Sequence, residues 1–171
     1  MKRGIVLVVI FVIASQVADA RIRRVYYSTP QTSQSVQKPQ AYEPAPREGA
    51  AWDALSAEEQ AFVIGLDAYR AKLGLPQLEL VEQLVNDCRR WSRHLERTGR
   101  FYHGSPQENI ALGHEEGELT LRQWRNSSGH DMKLRNRNDV VFGIGNCGRH
   151  WTYRATTSLE NYTPGTVVKE D

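Results

Sequence analysis

An N-terminal apolar segment limits how much of this 171-residue chain can form a folded domain. A basic pair, Lys2-Arg3, precedes an apolar run over residues 4–14, and Ala18 and Ala20 are small residues at the positions that a signal peptidase reads. The run is shorter than the about 20 apolar residues that span a bilayer as a helix. We therefore predict a signal peptide over residues 1–20, a secreted protein that is extracellular or periplasmic, and no transmembrane anchor after cleavage.

The segment after the apolar run has the composition of a disordered linker. Residues 21–50 are rich in Ser, Thr, Gln, Pro and Ala and contain few large apolar side chains. Such a segment cannot bury enough apolar surface to offset the entropy lost on ordering. Residues 51–160 are enough for one hydrophobic core, and residues 161–171 are predicted to form a flexible tail.

The charge of the chain excludes one class of partner. The formal net charge is only +2. Nucleic-acid binding requires a basic face that neutralises phosphates, and the region after residue 50 contains no Lys/Arg cluster of that kind. We therefore expect no nucleic-acid partner.

Helical spacing of apolar residues dominates the first half of the domain. Ser56-Ala-Glu-Glu59 is a capping box, in which the side chains of Ser and Glu bond each other's free backbone amides. Apolar residues recur at helical spacing behind it, and Gly74 and Pro76 end the pattern. A second helix is predicted over residues 80–98 and a third over residues 116–126.

Strand-forming residues dominate the last part of the domain. The segments Val140–Ile144 and Trp151–Thr156 are rich in β-branched and aromatic residues, and Gly145–Gly148 between them contains turn residues. The two segments are predicted to pair as a β-hairpin. Helices followed by strands indicate an α+β layered domain rather than alternating βαβ units.

The chain has two cysteines, Cys88 and Cys147. An even number of cysteines in an exported protein favours a disulfide between them. Two buried free thiols are the alternative, because the sequence cannot show that the two Cα atoms come within disulfide range.

Several short motifs together resemble the CAP domain, also called the SCP domain, of the cysteine-rich secretory, antigen 5 and pathogenesis-related proteins. The order and spacing carry the resemblance, and the form is similar to the short bacterial one. The matching segments are Asp67–Leu78, with an Arg three residues after the Asp and then Gly-Leu-x-x-Leu; Phe101-Tyr-His103; Glu108-Asn-Ile-Ala111; Trp124-x-x-Ser127-x-Gly-His130; and Gly143-Ile-Gly145.

The resemblance implies a three-layer α-β-α sandwich with a cleft in which two histidines and one or two glutamates converge. By position, His103 and His130 correspond to the paired histidines and Glu108 to the first glutamate. Ser127 stands near the place where the family's second glutamate commonly lies, so the cleft predicted here is His103, Glu108, Ser127 and His130.

The chemistry of these side chains also points to a metal. Two neutral imidazoles and one carboxylate are the ligand set of an open zinc site, so His103, His130 and Glu108 are candidate ligands for zinc or another divalent metal. Alternatively, Glu108 is an outer partner that fixes the tautomer of one histidine. The sequence leaves both arrangements open.

Three hypotheses about function follow. The leading one is a non-enzymatic extracellular binding module that holds a small molecule, lipid, peptide or cell-envelope component. The second is a metal-dependent hydrolase that uses His103 and His130, with Glu108 as general base and the candidate catalytic residue. The third is a scaffold that engages other proteins of the envelope.

Overall fold

A computed structural model describes residues 40–160 and residue 162. The predicted signal peptide, most of the predicted linker and the predicted tail apart from Tyr162 lie outside the described residues. The described part of the chain forms five helices and four strands. In chain order these are α1 (Ala50–Asp53), α2 (Ala57–Lys72), β1 (Glu79–Leu80), α3 (Glu82–Thr98), β2 (Glu108–Leu112), α4 (Gly117–Arg125), α5 (Ser128–Leu134), β3 (Val141–Cys147) and β4 (His150–Thr156). None of the described helices has the length and apolar character needed to cross a membrane.

The predicted helix start at Ser56 is confirmed. Ser56 is the N-cap of α2: its hydroxyl accepts a hydrogen bond from the Glu59 amide at 3.2 Å, and its own amide donates to Glu59 Oε2 at 2.9 Å. These two bonds satisfy backbone donors that the first turn of a helix leaves without partners. The two later predicted helices are also present, as α3 and α4.

The four strands form one mixed sheet in the order β1-β3-β4-β2. β3 and β4 pair antiparallel, which confirms the predicted hairpin, and β2 pairs antiparallel with β4 while β1 pairs parallel with β3. The turn is shorter than predicted, because β3 continues through Cys147 and its residues stay paired with β4. Gly148, with a φ of 54°, takes the left-handed conformation that the tight turn requires.

Helices cover both faces of the sheet, so the α+β architecture with three layers is observed. On one face, the ring of Phe62 from α2 packs 6.1 Å from Tyr153 of β4 and 5.4 Å from Trp124 of α4. On the other face, Ser92 of α3 donates a hydrogen bond to Thr152 of β4 at 2.9 Å. The alternation of side chains along β4 places neighbouring residues in different layers.

Two glycines of β3 allow α3 to pack closely against the sheet. A Cβ atom on Gly143 would lie 2.3 Å from the backbone carbon of Leu84, and one on Gly145 would lie 2.4 Å from the backbone nitrogen of Arg89. Both distances are too short for real atoms. The Gly-Ile-Gly motif is therefore a packing requirement, with Ile144 fully buried in the opposite layer.

The predicted linker includes residues that the structure places against the domain. Arg47 donates two hydrogen bonds to Asp67 of α2, at 2.6 and 2.8 Å, and its guanidinium lies 5.4 Å from the centre of the Phe142 ring. The Tyr42 hydroxyl donates to the Leu75 carbonyl at 2.8 Å. The prediction of disorder through residue 50 is therefore wrong for the segment around Tyr42 and Arg47. Two charge-assisted hydrogen bonds between Arg47 and Asp67 hold this segment against α2.

The favoured disulfide is also wrong, because Cys88 and Cys147 are both free. The Cys88 thiol points to the Gly143 carbonyl, 3.4 Å away. Cys147 lies opposite His150 in the strand register, and the His150 ring lies 3.1 Å from Glu96 of α3. Glu96 follows Cys88 by eight residues, or about two turns of the helix.

The close packing of α3 predicts a large effect of a single methyl group. Gly143→Ala should lower the free energy of unfolding by about 1–3 kcal/mol, because the added Cβ overlaps the α3 backbone. Gly129→Ala is the matched control: its Cβ meets nothing within 4 Å, so the change should stay within about 1 kcal/mol. Chemical denaturation followed by circular dichroism measures both, and equal effects would contradict the packing argument.

The two free thiols predict a simple labelling result. Alkylation of the unfolded protein without any reductant should modify both Cys88 and Cys147, and the intact mass should rise by two labels. A mass that rises only after reduction would instead show that the two sulfurs are bonded.

Candidate functional site

The site is built around a buried ion pair between neighbouring strands. Glu108 begins β2 and lies directly opposite Arg154 of β4 in the register of the sheet. Both side chains are removed from water, with exposures of 0% and 1%. Arg154 donates to Glu108 Oε2 from Nε at 3.0 Å and from Nη2 at 2.8 Å. Two charges so deeply buried require each other, because either alone would be costly to bury.

The same arginine connects the sheet to α3 and to the end of the domain. Arg154 Nη1 donates to Asp87 Oδ2 at 2.8 Å and to the Tyr162 hydroxyl at 3.1 Å. Tyr162 in turn donates its hydroxyl proton to Asp87. Burial, together with this hydrogen bond, raises the pKa of Tyr162 above its usual value, so the phenol stays a neutral donor.

The second oxygen of Glu108 organises the loop that carries His103. Glu108 Oε1 accepts a hydrogen bond from the Gly104 amide and lies 3.3 Å from Nδ1 of His103. Gly104 is required at this point, since a Cβ there would lie 2.6 Å from the Trp91 ring. The His103 side chain remains 53% exposed, so one edge of its ring is held and the other faces solvent.

His130 is held in a similar way from the other side of the site. Its Nδ1 lies 2.8 Å from the Ser127 hydroxyl, and its ring stacks on Trp124 with 6.3 Å between centroids. Burial, and then the neighbouring ionisable groups of His103 and Lys133, lower the pKa of His130. The imidazole is therefore neutral at pH 7, with a lone pair on one nitrogen.

Lys133 connects the helix that carries His130 to the segment that carries Glu108. Its Nζ donates to the carbonyls of Pro106 and Glu108, both at 2.8 Å, so α5 is fixed to the start of β2. Burial lowers the pKa of Lys133. A second tie runs from Asn109 Nδ2 to the His130 carbonyl at 3.0 Å.

The structure thus brings together all four residues of the predicted cleft, but not as one set of metal ligands. Both oxygens of Glu108 are occupied by Arg154, Gly104 and His103, and no group of three His, Cys, Asp or Glu side chains in residues 40–160 and 162 is arranged to hold a metal ion. Of the two histidines, Glu108 contacts His103, at Nδ1.

Nε2 of both histidines is left without a hydrogen bond. Nδ1 of His103 lies 3.3 Å from Glu108, Nδ1 of His130 is bonded to Ser127, and no described residue bonds Nε2 of either ring. Metal-binding histidines characteristically have one ring nitrogen held by a carboxylate, carbonyl or other partner while the other ligates.

Three residues of the site carry no signal in the motifs: Asp87, Lys133 and Arg154. The clearest clue was available for Arg154, which lies in the centre of a strand of aromatic and β-branched residues where a lone charge is not tolerated. Its acidic partners can be identified only once the strand register and the position of α3 are known.

The buried ion pair predicts unequal effects of two arginine substitutions around Asp87. Arg154→Met should lower the free energy of unfolding by about 3–5 kcal/mol, because it leaves the Glu108 carboxylate buried without its partner. Arg90 bonds the same Asp87 from a side chain that is 53% exposed. Arg90→Gln should therefore cost less than about 1 kcal/mol, and comparable losses in urea denaturation would contradict this assignment.

Comparison with known proteins gives the architecture a context. No family model matches the chain. The chain is 30% identical over 119 residues to uncharacterized protein YkwD of Bacillus subtilis (strain 168), a match that includes 57% of this chain and 46% of that protein. The chain thus spans about half the length of this curated relative.

Solved structures share the fold. An extracellular protein containing a SCP domain from Bacillus anthracis str. Ames superposes with a TM-score of 0.56 at 23% identity, covering 59% of this chain and 40% of that one. An outer surface protein from Borrelia burgdorferi superposes with a TM-score of 0.50 at 18% identity, covering 56% of this chain and 90% of that one. Together with the order of its motifs, these likenesses identify the chain as an α+β protein with the SCP, or CAP, fold in a bacterial-like form.

Proposed function

We propose that the chain is a secreted, non-enzymatic binding module whose cleft presents Nε2 of His103 and Nε2 of His130 to a ligand. One observation carries the proposal: each ring is oriented at Nδ1 by a side chain of the protein, by Glu108 at 3.3 Å and by Ser127 at 2.8 Å. Rings held in this way lose little side-chain entropy when a ligand binds, because the protein has already ordered them.

Export is supported from two directions. The N-terminal sequence has the basic, apolar and small-residue order of a signal peptide. Two proteins of similar fold are described as extracellular and as an outer surface protein. The place of action that we propose is therefore outside the cytoplasm.

The ligand that best suits two imidazole nitrogens is a divalent metal, with zinc as the first candidate. Zinc binds neutral imidazole, and the lowered pKa of His130 keeps that ring neutral at pH 7. His103 and His130 would hold the ion, and Glu108 and Ser127 would orient the two rings. A bound metal supplies a positive centre to which a carboxylate or phosphate of a larger envelope ligand can attach.

The geometry gives less support to a hydrolase. That function requires Glu108 to take a proton from water in the cleft, yet its side chain is 0% exposed and both of its oxygens accept hydrogen bonds within the protein. The same contacts suit a positioning role for Glu108. No contact of the described residues specifically favours a scaffold.

Zinc titration by calorimetry tests this proposal. The purified protein should bind zinc, and His103→Ala and His130→Ala should each weaken binding at least about tenfold, because each removes one donor. Ser127→Ala should weaken zinc binding less, since this variant keeps both imidazoles and removes only the hydrogen bond that orients the His130 ring.

His114→Ala is the matched control, because this histidine is exposed and its side chain contacts none of the cleft residues. It should bind zinc as the unaltered protein does. Unchanged binding in both cleft variants, or equal loss in the His114 variant, would overturn the proposed site.

A further inference from the structure

A second concave surface lies beside the histidine cleft but contains neither histidine. This surface, here called the arginine groove, has a volume of about 620 Å³, which is within the about 300–1,000 Å³ typical of ligand sites. It lies between the loop that follows α5, the outer end of β4 and the loop before β2. Its lining includes Gln107, Lys133, Arg135, Arg137, Asp139 and Tyr153.

The protein fixes one wall of the arginine groove with a buried side chain. Arg70 of α2 is 0% exposed and donates from Nη1 to the carbonyls of Leu134 and Asn136, at 2.8 and 3.1 Å. Its Nε donates to the Pro76 carbonyl at 3.0 Å. The loop after α5 is therefore anchored to the core, so the groove exists before any ligand binds and little ordering is needed.

A buried hydroxyl without a partner contributes to the lining. Tyr153 is 1% exposed, and its hydroxyl has no hydrogen-bond partner among residues 40–160 and 162. Buried hydroxyls are nearly always hydrogen-bonded in folded proteins. Burial raises the pKa of Tyr153 well above its usual value, so the group remains a neutral donor. Its partner, a water molecule or a ligand, must therefore come from outside the described residues.

The charges of the lining favour an anion at one point in particular. Arg135 already bonds Asp131 at 2.9 Å, and Lys133 already donates to two carbonyls. Arg137 is exposed, and no described residue pairs with its guanidinium. A planar guanidinium binds a carboxylate with two parallel hydrogen bonds.

The rest of the lining combines hydrogen-bonding groups with apolar surface. The side-chain amides of Gln107 and Asn138 both donate and accept hydrogen bonds, and the carboxyl group of Asp139 adds an acceptor, whereas the Asn136 side chain already bonds the Asn138 backbone amide. Pro106, Met132 and Ala155 add apolar surface, and Met132 is 61% exposed. Sugar rings match such a lining because they combine hydroxyls with short apolar faces.

We propose that the arginine groove binds an acidic oligosaccharide, with a sugar carboxylate on Arg137 and a sugar hydroxyl on Tyr153. This surface contains neither histidine of the cleft, although Lys133 borders both, and the proposed binding requires no metal. Its role is recognition of a carboxylate-bearing glycan outside the cell.

Calorimetric titration with a trimer of galacturonic acid tests the groove, in buffer with EDTA so that the result does not depend on the histidine cleft. The trimer should bind, and uncharged maltotriose should bind at least about tenfold more weakly, because it cannot pair with Arg137. Arg137→Gln should weaken binding of the trimer by about tenfold or more. Arg97→Gln, which removes the same charge from an exposed position on α3, should have no effect.

Tyr153→Phe separates a ligand-binding role from a structural one. Its hydroxyl has no partner within the described protein, so the melting temperature of the free protein should not fall, while affinity for the trimer should drop severalfold. A fall in melting temperature with unchanged affinity would assign the hydroxyl to the fold and overturn its proposed role.

Three further results would overturn the proposal. These are equal affinity for maltotriose and the acidic trimer, unchanged affinity in Arg137→Gln, and binding to phosphatidylglycerol vesicles without binding to the trimer. The last result would mean that the groove recognises an anionic lipid surface instead.

Discussion

The ion pair between Glu108 and Arg154 is the interaction on which the rest of the site depends. It joins two strands at a point where water is excluded, so neither residue can be replaced without leaving a charge buried alone. The same two side chains also reach outward in opposite directions. Arg154 holds Asp87 on α3, and Glu108 holds the loop around His103. A single electrostatic contact thereby links a helix, two strands and a loop.

The further contact between Arg154 and Asp87 is possible because α3 packs closely against the sheet. Gly143 and Gly145 leave no side chains between the helix and β3, so the short carboxylate of Asp87 can reach Arg154. The opposite face of the sheet is built differently, with the rings of Phe62 and Tyr153 filling a thicker apolar layer. One face thus supplies the polar interior of the site, and the other supplies most of the hydrophobic burial that stabilises the fold.

Sequence reasoning succeeded where the signal was local. The capping box at Ser56 and the spacing from Trp124 to His130 depend on neighbours along the chain, and both correspond to observed contacts. It failed where the answer depends on register. Strand β2 was not predicted, because four of its five residues are buried and no alternation remains. The roles of Arg154 and the separation of the cysteines likewise follow only from which residues the sheet places side by side.

The two histidines of the cleft differ in how much of the protein each requires. His130 takes its orientation from Ser127, three residues earlier, and from Trp124 one helix before, so a short segment carries both ring and support. His103 depends on Glu108, and through it on the pairing of β2 with β4, which joins residues 46 positions apart in the chain. A partly unfolded molecule would therefore retain one half of the cleft and lose the other. Any property that needs both rings is an indicator of complete folding.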